Sequence, residues 1–85
     1  MNAPITAPIG SNKEWVERRA KAVSRGIGMG APVMAAKAEN SEIWDIEGNR
    51  YIDFGGGIAV VNTGHRHPLV MKRVYEQLEK VTHTC

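Results

Sequence analysis

The stretch ENSEIWDIEGNRYIDFGGGIAVVNTGHRHPLV, Glu39 to Val70, decides the fold of this chain. Its first half alternates. Ile43, Trp44 and Ile46 precede Glu47-Gly48-Asn49, and Tyr51, Ile52 and Phe54 follow, the pattern of two short strands joined by a tight turn. Gly48 and Asn49 both tolerate the positive φ that tight hairpins demand. The spacing predicts a β-hairpin over residues 42–54. A period of two puts Trp44 and Ile46 on one face. Ile43, Asp45 and Glu47 take the other face, which is expected to be mostly wet. A two-stranded ribbon is rarely stable alone, so a third strand or a helix is needed to cover it.

The second half changes character at Gly55-Gly56-Gly57, where the lack of side-chain bulk lets backbone approach a neighbour or a ligand closely. Ile58, Ala59, Val60 and Val61 follow at once. This apolar run between glycines and a histidine reads either as a packing loop or as a wall, of a pocket or of a subunit contact. Asn62-Thr63-Gly64 turns the chain toward Pro68, and proline suits the first position of a helix because its missing N–H would be unpaired there. Val70, Val74, Leu78 and Val81 then share one helical face. Lys72, Glu76 and Lys80 share another at a spacing that supports a helix weakly.

Upstream, residues 1–10 have two prolines and no periodicity and read as a flexible lead-in. Ser11 opens a helix: Ser11-x-x-Glu14 matches a capping box, with Asn12 as a competing cap. Trp15, Val16, Arg19, Ala22 and Val23 recur at helical spacing. Gly26, Gly28 and Gly30 imitate a nucleotide-binding string. No strand precedes them and no well-formed helix follows, so an irregular crossing segment is the reading.

Composition excludes several classes. Net charge is +2 from 11 basic and 9 acidic side chains, and the basic residues between Lys13 and Arg25 are interrupted by Glu14 and Glu17. That is a solvated helix face, not a nucleic-acid stripe. The apolar run at residues 55–61 is far too short to span a membrane. No basic, apolar leader is present at the start, and Cys85 is the only cysteine, so the cytoplasm is the expected compartment. With five aromatic residues in 85, an independent core would be thin, and the chain is expected to be an incomplete domain on its own.

Few residues qualify for chemistry. His65, His67, His83 and Cys85 could be zinc ligands, but each pair has a single residue between its members, and the intervening helix separates the pairs. Structural or supporting roles suit these histidines better. Cys85 beside His83 lacks a held geometry and an orienting third group. Asp45 and Asp53, on separate hairpin strands, read as solvated strand residues or salt-bridge partners rather than as an acid–base pair. The glycine loop lacks the lysine and hydroxyl of a phosphate loop.

Taken together, Trp44-Asp45, Gly48, Tyr51 through Phe54, Gly56-Gly57 and Gly64-His65-x-His67-Pro68 resemble the amino-terminal region of the ornithine- and 4-aminobutyrate-type aminotransferases. The resemblance extends over residues 11–85, with the 4-aminobutyrate branch nearer than the ornithine branches. It implies an α/β fold: the first helix, β-hairpin, glycine-rich loop and helix of an aspartate aminotransferase-like, pyridoxal-phosphate-dependent transferase. Residues 11–54 would belong to the small domain. Residues 55–85 would form a glycine-rich active-site or interface loop and a helix leading into the large domain. The implied reaction moves the amino group of 4-aminobutyrate, or a similar ω-amino acid, to 2-oxoglutarate in a homodimer or dimer of dimers. In that family the catalytic lysine, the aspartate facing the pyridine nitrogen and the phosphate loop lie downstream, so no catalytic residue falls within this segment. One substrate-facing position does map, at Ile58. Ornithine-type relatives carry a tyrosine there, whereas isoleucine offers an apolar wall suited to the methylenes of an ω-amino acid. Gly56, Gly57, Gly64 and His65 would form the surrounding loop. The alternative is a small non-catalytic interaction module docking through its glycine-rich apolar loop.

Overall fold

The computed structural model describes residues 10–85; of the flexible lead-in expected at 1–10, residues 1–9 lie outside them. The element order is α1 (Asn12–Ala22), β1 (Ala35–Glu39), β2 (Glu42–Asp45), β3 (Arg50–Ile52), α2 (Gly56–Ala59) and α3 (Pro68–Leu78). The three strands form one antiparallel meander in the order β1-β2-β3.

The helix starts follow local chemistry. Ser11 caps α1, its Oγ accepting from Glu14 N at 3.2 Å, which satisfies one of the orphan donors of a first turn. His67 caps α3 through Nδ1, which accepts from Leu69 N at 3.2 Å, and Pro68 takes the first helical position. The α3 helix ends at Leu78, so Lys80 and Val81 lie beyond it. There the Gln77 carbonyl accepts from Lys80 N and Val81 N at 2.9 and 3.1 Å. Glu76 pairs with Arg73 at 3.5 Å, a three-residue spacing in place of the four-residue ladder read from the sequence. Both partners are exposed, so the pair adds little.

The hairpin forms where the alternation predicts it, with Ile43 opposite Tyr51 and Trp44 opposite Arg50. Gly48 supplies the positive φ of the turn, at 86°. The required third strand is β1. It pairs Lys37 with Trp44 and Ala38 with Ile43, with a register break between Ala35 and Lys37. Its sequence, AAKAE, carries no β-branched or aromatic residue and favours a helix. Pairing to β2 overrides that weak preference. Lys37 in turn lies over the Trp44 ring, 4.5 Å from its centroid.

One sequence expectation is corrected. On the face of Ile43, Asp45 and Glu47, expected to be mostly wet, Glu47 is exposed but Asp45 is not: at 3 % exposure it is the single buried residue among the described residues. Asp45 Oδ1 accepts from Glu47 N and Asn49 N at 2.9 and 2.8 Å. Its Oδ2 accepts from Asn49 Nδ2, Asn12 Nδ2 and Tyr51 OH at 3.0, 3.0 and 2.8 Å. Burial alone would raise this carboxyl, but the hydrogen bonds from Asn12, Asn49 and Tyr51 outweigh it and hold the group well below the usual carboxylate range. Asn12 also accepts from Met34 N at 2.8 Å. One carboxylate thereby ties the hairpin turn to α1, and Asn12 extends the tie to the approach to β1. The glycine segment after α1 is irregular, as expected, and Arg19 holds it by donating to the carbonyls of Ile27 and Gly28 at 2.9 and 3.1 Å.

Among the described residues no hydrophobic side chain is buried. Polar bonds and strand pairing join these elements, with apolar side chains such as Trp15, Ile43 and Trp44 only half-buried. The apolar side chains of α3 (Val70, Val74 and Leu78) and Val81 beyond it remain exposed.

Candidate functional site

The glycine stretch winds as one short left-handed turn. Gly56, Gly57, Ile58 and Ala59 have φ of 57°, 62°, 65° and 60°. Gly55 O accepts from Ile58 N and Ala59 N at 3.1 and 3.0 Å, and Gly56 O accepts from Val60 N and Val61 N at 2.7 and 3.0 Å. Glycine enters this region freely. For Ile58 and Ala59 it costs about 1–2 kcal/mol each, and most of all for a β-branched residue. Strain of this kind persists only where the surroundings over-determine it.

Asp53 and His65 supply those surroundings. Asp53 Oδ1 accepts from Gly55 N and Gly56 N, both at 2.9 Å, which fixes the start of the turn. Asp53 Oδ2 lies 2.6 Å from His65 Nε2. An ionised carboxylate only accepts, so the histidine ring donates. The Gly56 amide first, then His65, hold the Asp53 carboxyl below its ordinary value against the opposing effect of burial. His65 is fixed in turn by a two-way backbone bridge: Asn40 N donates to His65 O at 2.9 Å, and His65 N donates to Asn40 O at 2.7 Å. Gly64 makes that bridge possible. A Cβ there would stand 3.0 Å from Asn40 Cα and 3.1 Å from Asn40 O.

Of the residues singled out in the sequence, Gly56 and His65 therefore meet on Asp53, and Gly64 packs on Asn40. Gly57 lies inside the turn. Ile58 sits at its tip with 95 % of its surface exposed, as does Phe54 before it. Of the two readings given for Asp53, the structure takes the salt-bridge partner rather than the solvated strand residue: its side chain is 11 % exposed, pairs with His65 and holds the site together. The sequence carried one signal for this, an aspartate two residues before a glycine pair, the setting of a side-chain-capped turn. Nothing local marked Asn40 or the Asp53–His65 contact.

The residues around the turn do not fit pyridoxal phosphate by themselves. The two glycine amides that could cradle a phosphate are already taken by Asp53, whose negative charge disfavours an anion. The groove beside the turn is lined by residues such as Asn40, Ser41, Asp53 and Thr63, without a lysine or arginine. Lys37, the lysine of the sheet, is engaged on Trp44.

Residues 23–85 match the family model described as aminotransferase class-III. The chain is 55 % identical over 75 residues to the 4-aminobutyrate aminotransferase of Escherichia coli, covering 88 % of this chain and 18 % of the relative. It is 57 % identical over 75 residues to the 5-aminovalerate aminotransferase of Pseudomonas aeruginosa, with the same coverage. Its fold matches a structure of the ornithine aminotransferase of Toxoplasma gondii that reveals partial occupancy of PLP at its active site. That match has TM-score 0.80 and 28 % identity, and covers 92 % of this chain and 18 % of the other. The chain spans less than a fifth of the length of these relatives. A family match over most of the chain, on a backbone that superposes on a solved member, leaves one conclusion: this chain belongs to the class-III aminotransferase family.

Proposed function

We propose that this chain is the leading segment of a pyridoxal-phosphate-dependent aminotransferase. The enzyme would move the amino group of 4-aminobutyrate, or a similar ω-amino acid, to 2-oxoglutarate, giving succinate semialdehyde and glutamate. The observation that carries this reading is the 55–57 % identity to relatives named for 4-aminobutyrate and 5-aminovalerate. Both substrates are ω-amino acids with a short methylene body. An exposed isoleucine on a rigid turn suits such a body, because it offers contact area and no competing polar group.

When bound, the cofactor supplies the electron sink for amino transfer. The part played by this segment is binding and orientation. Residues 11–54 contribute to the small domain, and 55–85 carry the turn and α3 toward the large domain. Ile58 forms an apolar wall against the substrate methylenes, with Gly56, Gly57, Gly64 and His65 shaping the loop. The exposed apolar side chains of α3 and of the turn are covered by the rest of the subunit and by a second copy in a cytoplasmic homodimer or dimer of dimers. The 85-residue segment alone is expected to be inactive, since the resemblance places the catalytic lysine downstream of it.

The test is a coupled assay on the purified whole subunit with 4-aminobutyrate and 2-oxoglutarate, following glutamate with and without added pyridoxal phosphate. Cofactor-dependent glutamate formation is expected. Its absence with 4-aminobutyrate, 5-aminovalerate and β-alanine alike would overturn the reading. Transamination by the isolated 85-residue chain would overturn the assignment of the chemistry to residues outside it.

A further inference from the structure

We propose that Asp53 and His65 are positioning residues that set the substrate wall at Ile58 by holding the left-handed turn in register. The proposal rests on the pocket reading of Ile58 given above. The turn cannot hold itself: two of its four positive-φ residues, Ile58 and Ala59, carry side chains that disfavour that conformation. It is pinned from both ends. Asp53 binds the amides of Gly55 and Gly56 at its start with one oxygen. The other oxygen binds His65, which follows the turn by six residues and is anchored to Asn40. The span between the anchors is thereby closed into a loop with Asp53 at its neck. Neither anchor reaches the exposed tip where Ile58 lies, so their effect on substrate passes through the turn.

The consequence is a specific pattern of coupling. Removing the His65 ring leaves its backbone bridge to Asn40 but opens the latch to Asp53 at the neck of the loop, and lets Ile58 leave the left-handed region. The wall is then absent for part of the time, which weakens substrate binding more than the chemical step. The experiment is a double-mutant cycle on the whole holoenzyme, with His65→Ala and Ile58→Ala alone and together. Steady-state kinetics with 4-aminobutyrate are read alongside melting temperature and cofactor absorbance. A roughly ten-fold rise in KM with kcat nearly unchanged is expected for His65→Ala. In the Ile58→Ala background the same change should cost less than about two-fold, because there is no wall left to misplace. His65→Gln, whose amide can still donate to Asp53, should recover most of the loss.

An equal penalty in both backgrounds would overturn the proposal, as would a folded His65→Ala enzyme with unchanged KM. If Ile58→Ala itself leaves KM unchanged, the pocket reading of Ile58 falls and the positioning role falls with it. Should His65→Ala not fold, Asp53→Asn takes its place in the cycle. It keeps an oxygen for the glycine amides while losing the charged contact to His65, so a smaller rise in KM that vanishes in the Ile58→Ala background is expected, and additivity again refutes.

Discussion

Gly64 and Gly48 have nearly the same backbone conformation, φ of 84° and 86°, but opposite surroundings. A Cβ at Gly48 would meet nothing within 4 Å, whereas one at Gly64 would lie 2.9 Å from Asn40 Oδ1, 3.0 Å from its Cα and 3.1 Å from its carbonyl oxygen. Gly48→Ala should therefore cost only the left-handed penalty, about 1–2 kcal/mol. Gly64→Ala should carry that penalty plus overpacking. Carbon atoms prefer roughly 3.5–4.0 Å of separation, and Asn40 cannot retreat without breaking its two bonds to His65, at 2.9 and 2.7 Å. Such overpacking costs about 1–3 kcal/mol. Alanine's smaller unfolded-state entropy offsets both variants equally and cancels in the comparison. The predicted difference is thus about 1–3 kcal/mol, with Gly64→Ala the less stable. Urea unfolding of the two whole-subunit variants, at unchanged m-value, measures it. Equal destabilisation would refute the claim that the Asn40–His65 bridge confines this position.

The remaining predictions concern other links in the chain. Asp45 has a depressed carboxyl in the folded state, so its contribution is present above the ordinary carboxylate range near ~4 and is lost as pH falls through and below it. Acid unfolding of the wild type should steepen below that point, and Asp45→Asn should flatten the slope; identical slopes would sink the idea. Ser11→Ala removes the α1 cap and should cost about 1 kcal/mol, with Ser11→Asp close to wild type in the same melt. Ile58→Tyr should impair 4-aminobutyrate turnover while leaving the cofactor absorbance intact, and unchanged turnover would remove Ile58 from the pocket.

Local chemistry in the sequence determined the parts of this protein that local chemistry controls. Ser11 and Pro68 placed the helix starts, because an oxygen for orphan amides and a preset φ act within a single turn. Alternation around Gly48 placed the hairpin, because side chains in a strand must point to opposite faces. The combination from Trp44 to Pro68 was enough to indicate the family. The tertiary structure alone decided the rest. The β1 strand exists because β2 presents an edge to Ala35–Glu39, a segment with no strand preference of its own. Asp45 is buried because Asn12, 33 residues away, closes over it, and alternation by itself had assigned that face to water. Asp53 and His65 meet because Gly64 lets a backbone pass against Asn40 at a distance tighter than most side chains allow. The last two depend on contacts between residues far apart in the chain, and the first on a neighbouring strand edge, none of which the alternation of a single segment specifies.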